Sequence, residues 1–120
     1  MPSDELDPGE HVFHLALRSD WEAARRDGSY QISTRDRTLA EEGFIHASRR
    51  HQVQGVHDAY YRDVSEPLVL LEIDPAMLTA ELVLEVPDGA DEAFPHVYGP
   101  IDLDAVVSAD PVPPSSPGSA

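Results

Sequence analysis

A nearly continuous apolar run over residues 67–73 is the feature that most limits the folds open to this chain. Its Leu, Val and Ile side chains point to both sides of an extended backbone, which is typical of a central strand buried on both faces. Residues 11–17 and 80–86 alternate apolar and polar side chains, and this period of two predicts further strands. The run at 67–73 therefore predicts a sheet with a covered central strand.

Helices are predicted in two places. Ser19 and Glu22 have the spacing of a capping box and Gly28 is a typical helix stop, so one helix should occupy residues 19–26. A second helix should run over residues 49–62, where apolar side chains recur along one stripe. Residues 29–42 lack a clear period and are expected to form a polar loop with at most one helical turn.

Strands and helices do not alternate regularly along the chain, so we expect an α+β fold with two or three helices rather than a doubly wound sheet. At 120 residues the chain has the size of one domain, which we place at residues 11–110. Residues 1–10 are expected to be a flexible N-terminus. Residues 111–120, with four prolines and three serines, are expected to be a disordered tail.

Charge narrows the possible partners. The formal net charge is −15, and residues 63–120 hold 12 acidic residues but no Lys or Arg. A surface with this many acidic groups repels the phosphate backbone of DNA or RNA. We therefore expect no nucleic-acid partner. No stretch approaches the roughly 20 apolar residues of a membrane span, the acidic residues 1–7 lack the basic and apolar regions expected of a signal peptide, and the sequence contains no cysteine. A cytoplasmic protein without a membrane partner is therefore expected.

A strand–helix junction at residues 43–48 carries the first candidate site residues. Phe44 and Ile45 favour a strand, and Ser48 is a preferred N-cap residue for the helix that follows. His46 would then lie at a strand end, beside the free backbone N–H groups of a helix N-terminus. In that position the imidazole of His46 can carry a proton, and the neighbouring backbone N–H groups can donate hydrogen bonds to a ligand.

The segment 94–100 carries a second group of candidates. Prolines on each side of His96 and Tyr98 restrict the backbone and fix the direction of both side chains. Together with His14 on the first predicted strand, three of the six histidines lie at strand or turn positions. Each of them can be a structural, hydrogen-bonded histidine. A functional site requires that the three converge in space.

Two motifs resemble those of a known family: Gly-Phe-Ile-His-x-Ser at residues 43–48 and Phe-Pro-His-x-Tyr-Gly at residues 94–99. Further residues of the same order and spacing are His14, Trp21 and Leu70-Leu71. Over residues 11–110 the chain resembles the bacterial family of unknown function numbered 952. That family has no established reaction, and the resemblance implies a split β-sheet like that of the ADP-ribosyltransferase superfamily.

The resemblance also implies roles for individual residues. In ADP-ribosyltransferases of the His-Tyr-Glu kind, a histidine on the first strand binds a ribose hydroxyl of NAD, and His14 matches it by position. His46 and Ser48 match residues that lie beside the nicotinamide. The late strand that carries the catalytic glutamate in those enzymes has no glutamate here. Glu85 can replace that glutamate only if its strand brings it to the same pocket.

We therefore expect a histidine-lined cleft that binds an NAD-related ligand, nucleotide-like or ADP-ribose-like. If the protein is an enzyme, the expected catalytic residues are His96 and His46, and the expected ligand-binding residues are His14, Ser48 and Tyr98. A non-catalytic ligand- or protein-binding module is the first alternative. A three-histidine metal site is the second, although the short ligand spacings typical of such sites are missing and no metal is expected.

Overall fold

The computed structural model describes residues 6–34 and 37–112, and it confirms the α+β class. The strands of this part of the chain are β1 (Val12–Leu17), β2 (Ser29–Tyr30), β3 (Ile32–Thr34), β4 (Arg37–Thr38), β5 (Ile45–His46), β6 (Leu68–Ile73), β7 (Leu82–Glu85), β8 (Phe94–Val97), β9 (Ile101–Asp102) and β10 (Val106–Val112). The helices are α1 (Arg18–Asp27), α2 (Leu39–Glu42) and α3 (Val53–Val56). A 3₁₀ turn precedes α3 and a π-helical turn follows it, and together they form the helix 50–61.

β6 is the central strand of an antiparallel sheet with the order β1-β6-β10. Val12 of β1 lies opposite Ile73 of β6, and β10 pairs along the other side of β6. Leu71 and Ile73 are fully buried, because apolar side chains on both sides of the strand are covered. The central strand predicted from residues 67–73 is confirmed.

A second antiparallel sheet has the order β5-β8-β7, and in it His46 of β5 lies opposite His96 of β8. The chain after β5 continues to Ser48, whose backbone N–H and C=O both bond to Phe13 of β1 at 2.7 Å. This bridge connects the two sheets and brings the end of β5 next to β1.

The predicted bounds of both helices agree with the structure to within one residue, whereas the predicted N-cap residues are wrong. Gly28 ends α1 with a left-handed φ of 95°, a conformation that glycine adopts without steric cost. However, Ser19 lies inside α1 and no side chain caps that helix. Ser48 takes part in the strand bridge instead of capping a helix. The helix 50–61 begins after Arg49, whose backbone N–H donates to the side chain of Gln52 at 2.8 Å.

Residues 29–42 are more regular than the predicted loop. β2 pairs with β9, and β3 pairs with β4, each in an antiparallel ribbon. Thr38 and Glu41 form a capping box for α2, which ends at Gly43, so the predicted helical turn is confirmed. The loop prediction was wrong because strands of two or three residues are too short to show a period of two.

The apolar side chains form two clusters on opposite faces of β1. Val12 and Ala16 belong to the larger cluster, which also includes residues of α1, β6, β8 and β9. Leu15 belongs to the smaller cluster, which connects β1 and β6 with Tyr61 of the helix 50–61. Trp21 packs at the side of the larger cluster. Because both faces of β1 are covered, the strand holds the helix 50–61 in a fixed position beside β5.

The two ends of the described chain extend the predicted domain slightly. β10 runs through residues 111–112, which the sequence assigned to the tail, and the rest of that tail, 113–120, lies outside the described residues. Residues 1–5 of the predicted flexible N-terminus lie outside them as well. Glu10 is held by Arg49 through two hydrogen bonds of 2.8 Å. Within the described ranges, no helix is long and apolar enough to cross a membrane.

Candidate functional site

The three candidate histidines converge at the junction of the two sheets. Opposing residues of an antiparallel pair point to the same side, so His46 and His96 face each other while the neighbouring Ile45 and Val97 are buried in the core. The two imidazole rings meet edge to face, with centroids 4.9 Å apart. His14 reaches the group from β1, since its Nδ1 lies 2.5 Å from the carbonyl oxygen of His46. We call His14, His46 and His96 the histidine cluster.

His14 connects three strands. Its Nδ1–H donates to the carbonyl of His46, and its Nε2 accepts from the hydroxyl of Tyr30 at 3.0 Å. Burial lowers the pKa of His14 from 6.5 to about 4 and raises the pKa of Tyr30 well above its usual value, so the ring is neutral near pH 7. Both ring nitrogens are bonded within the protein, and a ligand must replace one of these bonds to contact them.

His46 is the accessible member of the cluster. Its side chain is 34% exposed, and its Nε2 lies 3.7 Å from a carboxylate oxygen of Glu42. Burial, followed by the nearby His96, lowers the pKa of His46, while Glu42 opposes this effect. A neutral imidazole has one hydrogen-bond donor and one acceptor. His46 can therefore bind a ligand or exchange a proton with it at neutral pH.

Glu85 of β7 binds both His96 and Tyr98. One of its carboxylate oxygens accepts a hydrogen bond from Nδ1–H of His96 at 2.8 Å and another from the hydroxyl of Tyr98. These bonds, the one from Tyr98 foremost, lower the pKa of Glu85, so the carboxyl group is ionised at neutral pH. The same contact raises the pKa of Tyr98. The carboxylate of Glu85 therefore contacts His96 and Tyr98, the two polar residues of the segment 94–100, which itself contains no glutamate.

Phe44 packs over this group. Its ring stacks on His96 with centroids 4.2 Å apart and contacts the rings of His46 and Tyr98 at 4.8 and 5.5 Å. The side chain of His96 is only 4% exposed, yet its Nε2 has no hydrogen-bond partner in the described part of the chain. Among the described residues, only His57 has another buried side-chain polar atom of this kind.

A cavity of about 670 Å³ opens beside His46, and we call it the histidine cavity. Its walls come from the strand–helix junction, from the helix 50–61 and from the loop 87–92. Of the predicted site residues, those that line it are His14, His46 and Ser48. His96 and Tyr98 are not among its lining residues; they join the site through the ring contact between His96 and His46.

The wall of the histidine cavity is acidic. Its charged side chains are the carboxylates of Glu42, Asp88, Asp91 and Glu92, and none of its described lining residues is Lys or Arg. The amide of Gln52 donates to Glu92 at 2.5 Å and to the carbonyl of Ala93 at 2.8 Å. The first of these bonds lowers the pKa of Glu92. Such a wall is complementary to a neutral or cationic ligand and repels an anionic one.

The contact between Gln52 and Glu92, which holds the loop 87–92 against the helix 50–61, was not predicted from the sequence. Forty residues separate the two side chains, and no local pattern shows that they meet. Glu42 was also missed, although a signal was available: it directly precedes the motif at residues 43–48. An acidic residue one helical turn before His46 can be recognised as a possible partner of the imidazole.

The described residues contain no group of three or more His, Cys, Asp or Glu side chains arranged to hold a metal ion. Of the three histidines in the metal alternative, His14 uses both ring nitrogens in other bonds, and His96 uses Nδ1 to bind Glu85. The geometry therefore favours the hydrogen-bonding chemistry of this cluster over metal ligation.

One family model and the solved structures of one protein match the chain, and neither names an activity. A family model described as "Protein of unknown function (DUF952)" matches residues 15–109. The protein CC0527 from Caulobacter crescentus, in its crystal structure, has 30% sequence identity to this chain. The match covers 86% of each of the two chains and has a TM-score of 0.73. The solution NMR structure of CC0527 is 27% identical over 82% of this chain and 81% of that one, with a TM-score of 0.65. None of the curated proteins matches the chain.

Proposed function

The chain belongs to this family of unknown function, and we propose that it binds the nicotinamide–ribose end of an NAD-related nucleotide in the histidine cavity. The observation that carries the proposal is the convergence of His14, His46 and His96 beside an acidic cavity. The resemblance of the two motifs to an ADP-ribosyltransferase-like fold supports the same class of ligand.

The size and charge of the cavity support this end of the nucleotide. A volume of about 670 Å³ lies within the roughly 300–1,000 Å³ of ordinary small-molecule sites. The nicotinamide ring of NAD carries a positive charge, which the four wall carboxylates attract. The same carboxylates repel the pyrophosphate. The nucleotide therefore enters with its nicotinamide first and leaves its phosphates outside the acidic wall.

His46 is the side chain that contacts the ribose in this arrangement. It lines the cavity, and in its neutral form it can donate one hydrogen bond and accept another. Ribose hydroxyl groups also donate and accept, so the two groups match. His14 supports this contact indirectly, because its bond to the carbonyl of His46 fixes the backbone there.

Glu85 favours a second candidate function, which is ADP-ribosyl transfer. In that reaction the bond between ribose C1′ and the nicotinamide nitrogen breaks, and its electron pair leaves with nicotinamide. Positive charge then develops on the ribose, and an ionised carboxylate stabilises it. An acceptor nucleophile forms the new bond to C1′ and gives its proton to a base such as His46. Glu85 is ionised but does not line the histidine cavity, so in this step its charge acts on the ribose from behind His96, to whose ring it is hydrogen-bonded.

Ligand-induced thermal shifts test the binding proposal. NAD, nicotinamide mononucleotide and ADP-ribose are added separately to the full chain. A ligand that prefers the folded state stabilises it, by about 2.7 kcal/mol at 100 times its Kd. We expect NAD and nicotinamide mononucleotide to raise the Tm, and ADP-ribose, which lacks nicotinamide, to raise it less. The absence of a shift with both nicotinamide ligands would contradict the proposal.

A matched pair of histidine variants tests where the ligand binds. His46→Ala removes a ring from the cavity wall, whereas His11→Ala removes a ring that pairs with Glu72 on the first sheet. The two side chains are similarly exposed, at 34% and 31%. We expect the first variant to lose the ligand-induced shift and the second to keep it. Equal shifts in both variants would show that binding does not depend on the histidine cluster.

Release of nicotinamide from NAD separates transfer from binding alone. Glu85→Gln removes the charge of the carboxylate that contacts His96, and Glu81→Gln removes the same charge from an exposed position near β7. If the protein catalyses transfer, we expect release by the wild type and the Glu81 variant and at least a tenfold slower release by the Glu85 variant. A thermal shift without any release identifies a binding domain.

A further inference from the structure

His96 contains a buried nitrogen to which no described residue forms a hydrogen bond. Its side chain is 4% exposed, and Nε2 has no partner within residues 6–34 and 37–112. Buried polar atoms in folded proteins are nearly always paired, because an unpaired one has lost its bond to water and gained nothing in return. Because the ring of His96 contacts His46, which lines the histidine cavity, this unpaired atom indicates a position where a ligand can supply the missing hydrogen bond.

Glu85 determines what this nitrogen offers to a ligand. A carboxylate only accepts hydrogen bonds, so Nδ1 of His96 carries the hydrogen in the 2.8 Å bond between them. In the neutral ring, Nε2 then presents a lone pair. The hydroxyl of Tyr98 donates to the same carboxylate oxygen and helps to hold it in place. The carboxylate thereby selects one tautomer of the imidazole.

We infer that Nε2 of His96 accepts a hydrogen bond from a hydroxyl group of the bound ligand, and that Glu85 is the positioning residue that makes this nitrogen an acceptor. The inference rests on the proposed function and specifies it, because the ligand must be a sugar-containing molecule whose hydroxyl groups reach His96. A phosphate group does not fit this position. Its oxygens would face a lone pair and would lie near the ionised carboxylate of Glu85.

The path from the histidine cavity to His96 passes His46. The ring of His46 lines the cavity and also contacts His96 edge to face. His46 is one-third exposed and, among the described residues, its Nε2 has only a long contact of 3.7 Å with Glu42. The ring of Phe44 stacks on His96 and contacts both His46 and Tyr98. A ligand in the cavity can reach Nε2 only if the ring of His46 turns aside and gives up its contacts with Phe44 and His96.

Nitrogen NMR of the imidazole rings in the full chain tests the tautomer. Without ligand, His96 should carry its hydrogen on Nδ1 and a lone pair on Nε2. Glu85→Ala should increase the form with hydrogen on Nε2. Glu85→Gln, whose amide oxygen can still accept a bond, should restore the original form. A wild-type ring that carries its hydrogen on Nε2 alone would overturn the inference.

The same spectra follow the ligand. D-ribose and nicotinamide mononucleotide are titrated separately into the wild-type protein. We expect the Nε2 resonance of His96 to change with saturation for both. The resonances of His11, which pairs with Glu72 on the first sheet and does not line the histidine cavity, should stay nearly constant and serve as the internal control. No change at Nε2 of His96 with either ligand would overturn the inference.

Two variants test whether ligand binding depends on the acceptor at Nε2 of His96 or on the rest of the imidazole ring. His96→Asn keeps a donor near the position of Nδ1 for Glu85 but has no acceptor at the position of Nε2. His96→Gln places an amide oxygen near the position of Nε2. With folding verified by the Tm, we expect nicotinamide mononucleotide to bind roughly tenfold more weakly to the Asn variant and with a smaller loss to the Gln variant. If neither variant folds, the wild-type titration decides.

The outcomes distinguish this inference from the proposed function. A change at Nε2 with D-ribose but no binding of nicotinamide mononucleotide supports the sugar contact and contradicts the nicotinamide ligand. A thermal shift with nicotinamide mononucleotide and no change at Nε2 overturns the sugar contact at His96, while the proposed function stands. Unchanged affinity in a folded His96→Asn variant overturns the inference in the same way.

Discussion

At the scale of single residues, three neighbouring histidines have different properties because their surroundings differ. His14 is buried and uses both ring nitrogens within the protein. His46 is one-third exposed and lines the histidine cavity. His96 is buried, with one nitrogen bonded to Glu85 and the other without a partner among the residues that the structure describes. The residue type alone therefore does not assign a role, and the bonding of each ring nitrogen does.

His14 should make the folded state sensitive to mild acid. Its pKa is about 4 in the folded state and 6.5 in the unfolded state, so below pH 6.5 the unfolded chain binds a proton that the folded chain does not. This contribution to stability is fully present above pH 6.5 and is lost as the pH falls towards 4. The loss amounts to about 2 kcal/mol by pH 5.

Urea unfolding at pH 7.5 and pH 5.0 measures this loss. His14→Gln keeps hydrogen-bonding groups but does not titrate, so its free energy of unfolding should change less between the two pH values. Because Tyr30 then lacks its usual acceptor, the variant should also be less stable at both. An equal change with pH in the variant and the wild type would show that another group causes the acid sensitivity.

At the scale of elements, β5 organises the site although it has only two residues, Ile45 and His46. It pairs with β8 on one side, and the residues after it reach β1 through Ser48 and then enter the helix 50–61. One short element therefore fixes His46 relative to both sheets and to the cavity wall. Although β5 is short, it can position the site because it is held on both sides: β8 pairs with it, and Ser48, which follows it, pairs with β1.

β6 should be the element whose side chains contribute most to stability. Leu71 is fully buried in the larger cluster, whereas Leu70 is only partly buried beside the smaller one. Leu71→Ala should therefore reduce the free energy of unfolding by roughly 2–5 kcal/mol. Leu70→Ala, the matched control, should cost clearly less. Chemical denaturation of both variants measures the difference, and an equal or larger cost at Leu70 would contradict the described orientation of β6.

At the scale of the whole molecule, two three-stranded sheets form one domain through the bridge between Phe13 and Ser48 and through a shared core. The whole chain carries a formal net charge of −15. Four of the acidic groups line the histidine cavity, so the overall charge and the local charge of the site have the same sign. The molecule as a whole should therefore favour neutral or cationic ligands.

Truncation at the C-terminus should locate the end of the domain. Residues 111–112 pair with β6, and Val112 packs beside the smaller cluster. From its composition, removal of residues 113–120 is expected to cost almost nothing. Removal of residues 111–120 should cost about 1–2 kcal/mol more, because part of a valine side chain and two positions of β10 are lost. Thermal melts of the two truncated chains measure this difference, and identical melting temperatures would place the end of the domain before residue 111.

The sequence by itself determined the elements whose signals lie in neighbouring residues. The apolar run at 67–73 indicated the central strand, Gly28 marked the end of α1, and the motif at residues 43–48 placed His46 at the end of a strand. These features depend on burial and backbone preference over a few residues, and such preferences can be recognised locally. The short ribbons at residues 29–42 were missed because they have too few residues to show a period.

Only the tertiary structure decided how the candidate residues meet. It placed His46 opposite His96, brought Glu85 to His96, and used both nitrogens of His14 inside the protein. Each of these contacts joins residues that are far apart in sequence and depends on the register of paired strands. A shift of one residue in that register would turn every side chain of a strand to the other face. No local pattern specifies the register, because it is set by the packing of the whole core.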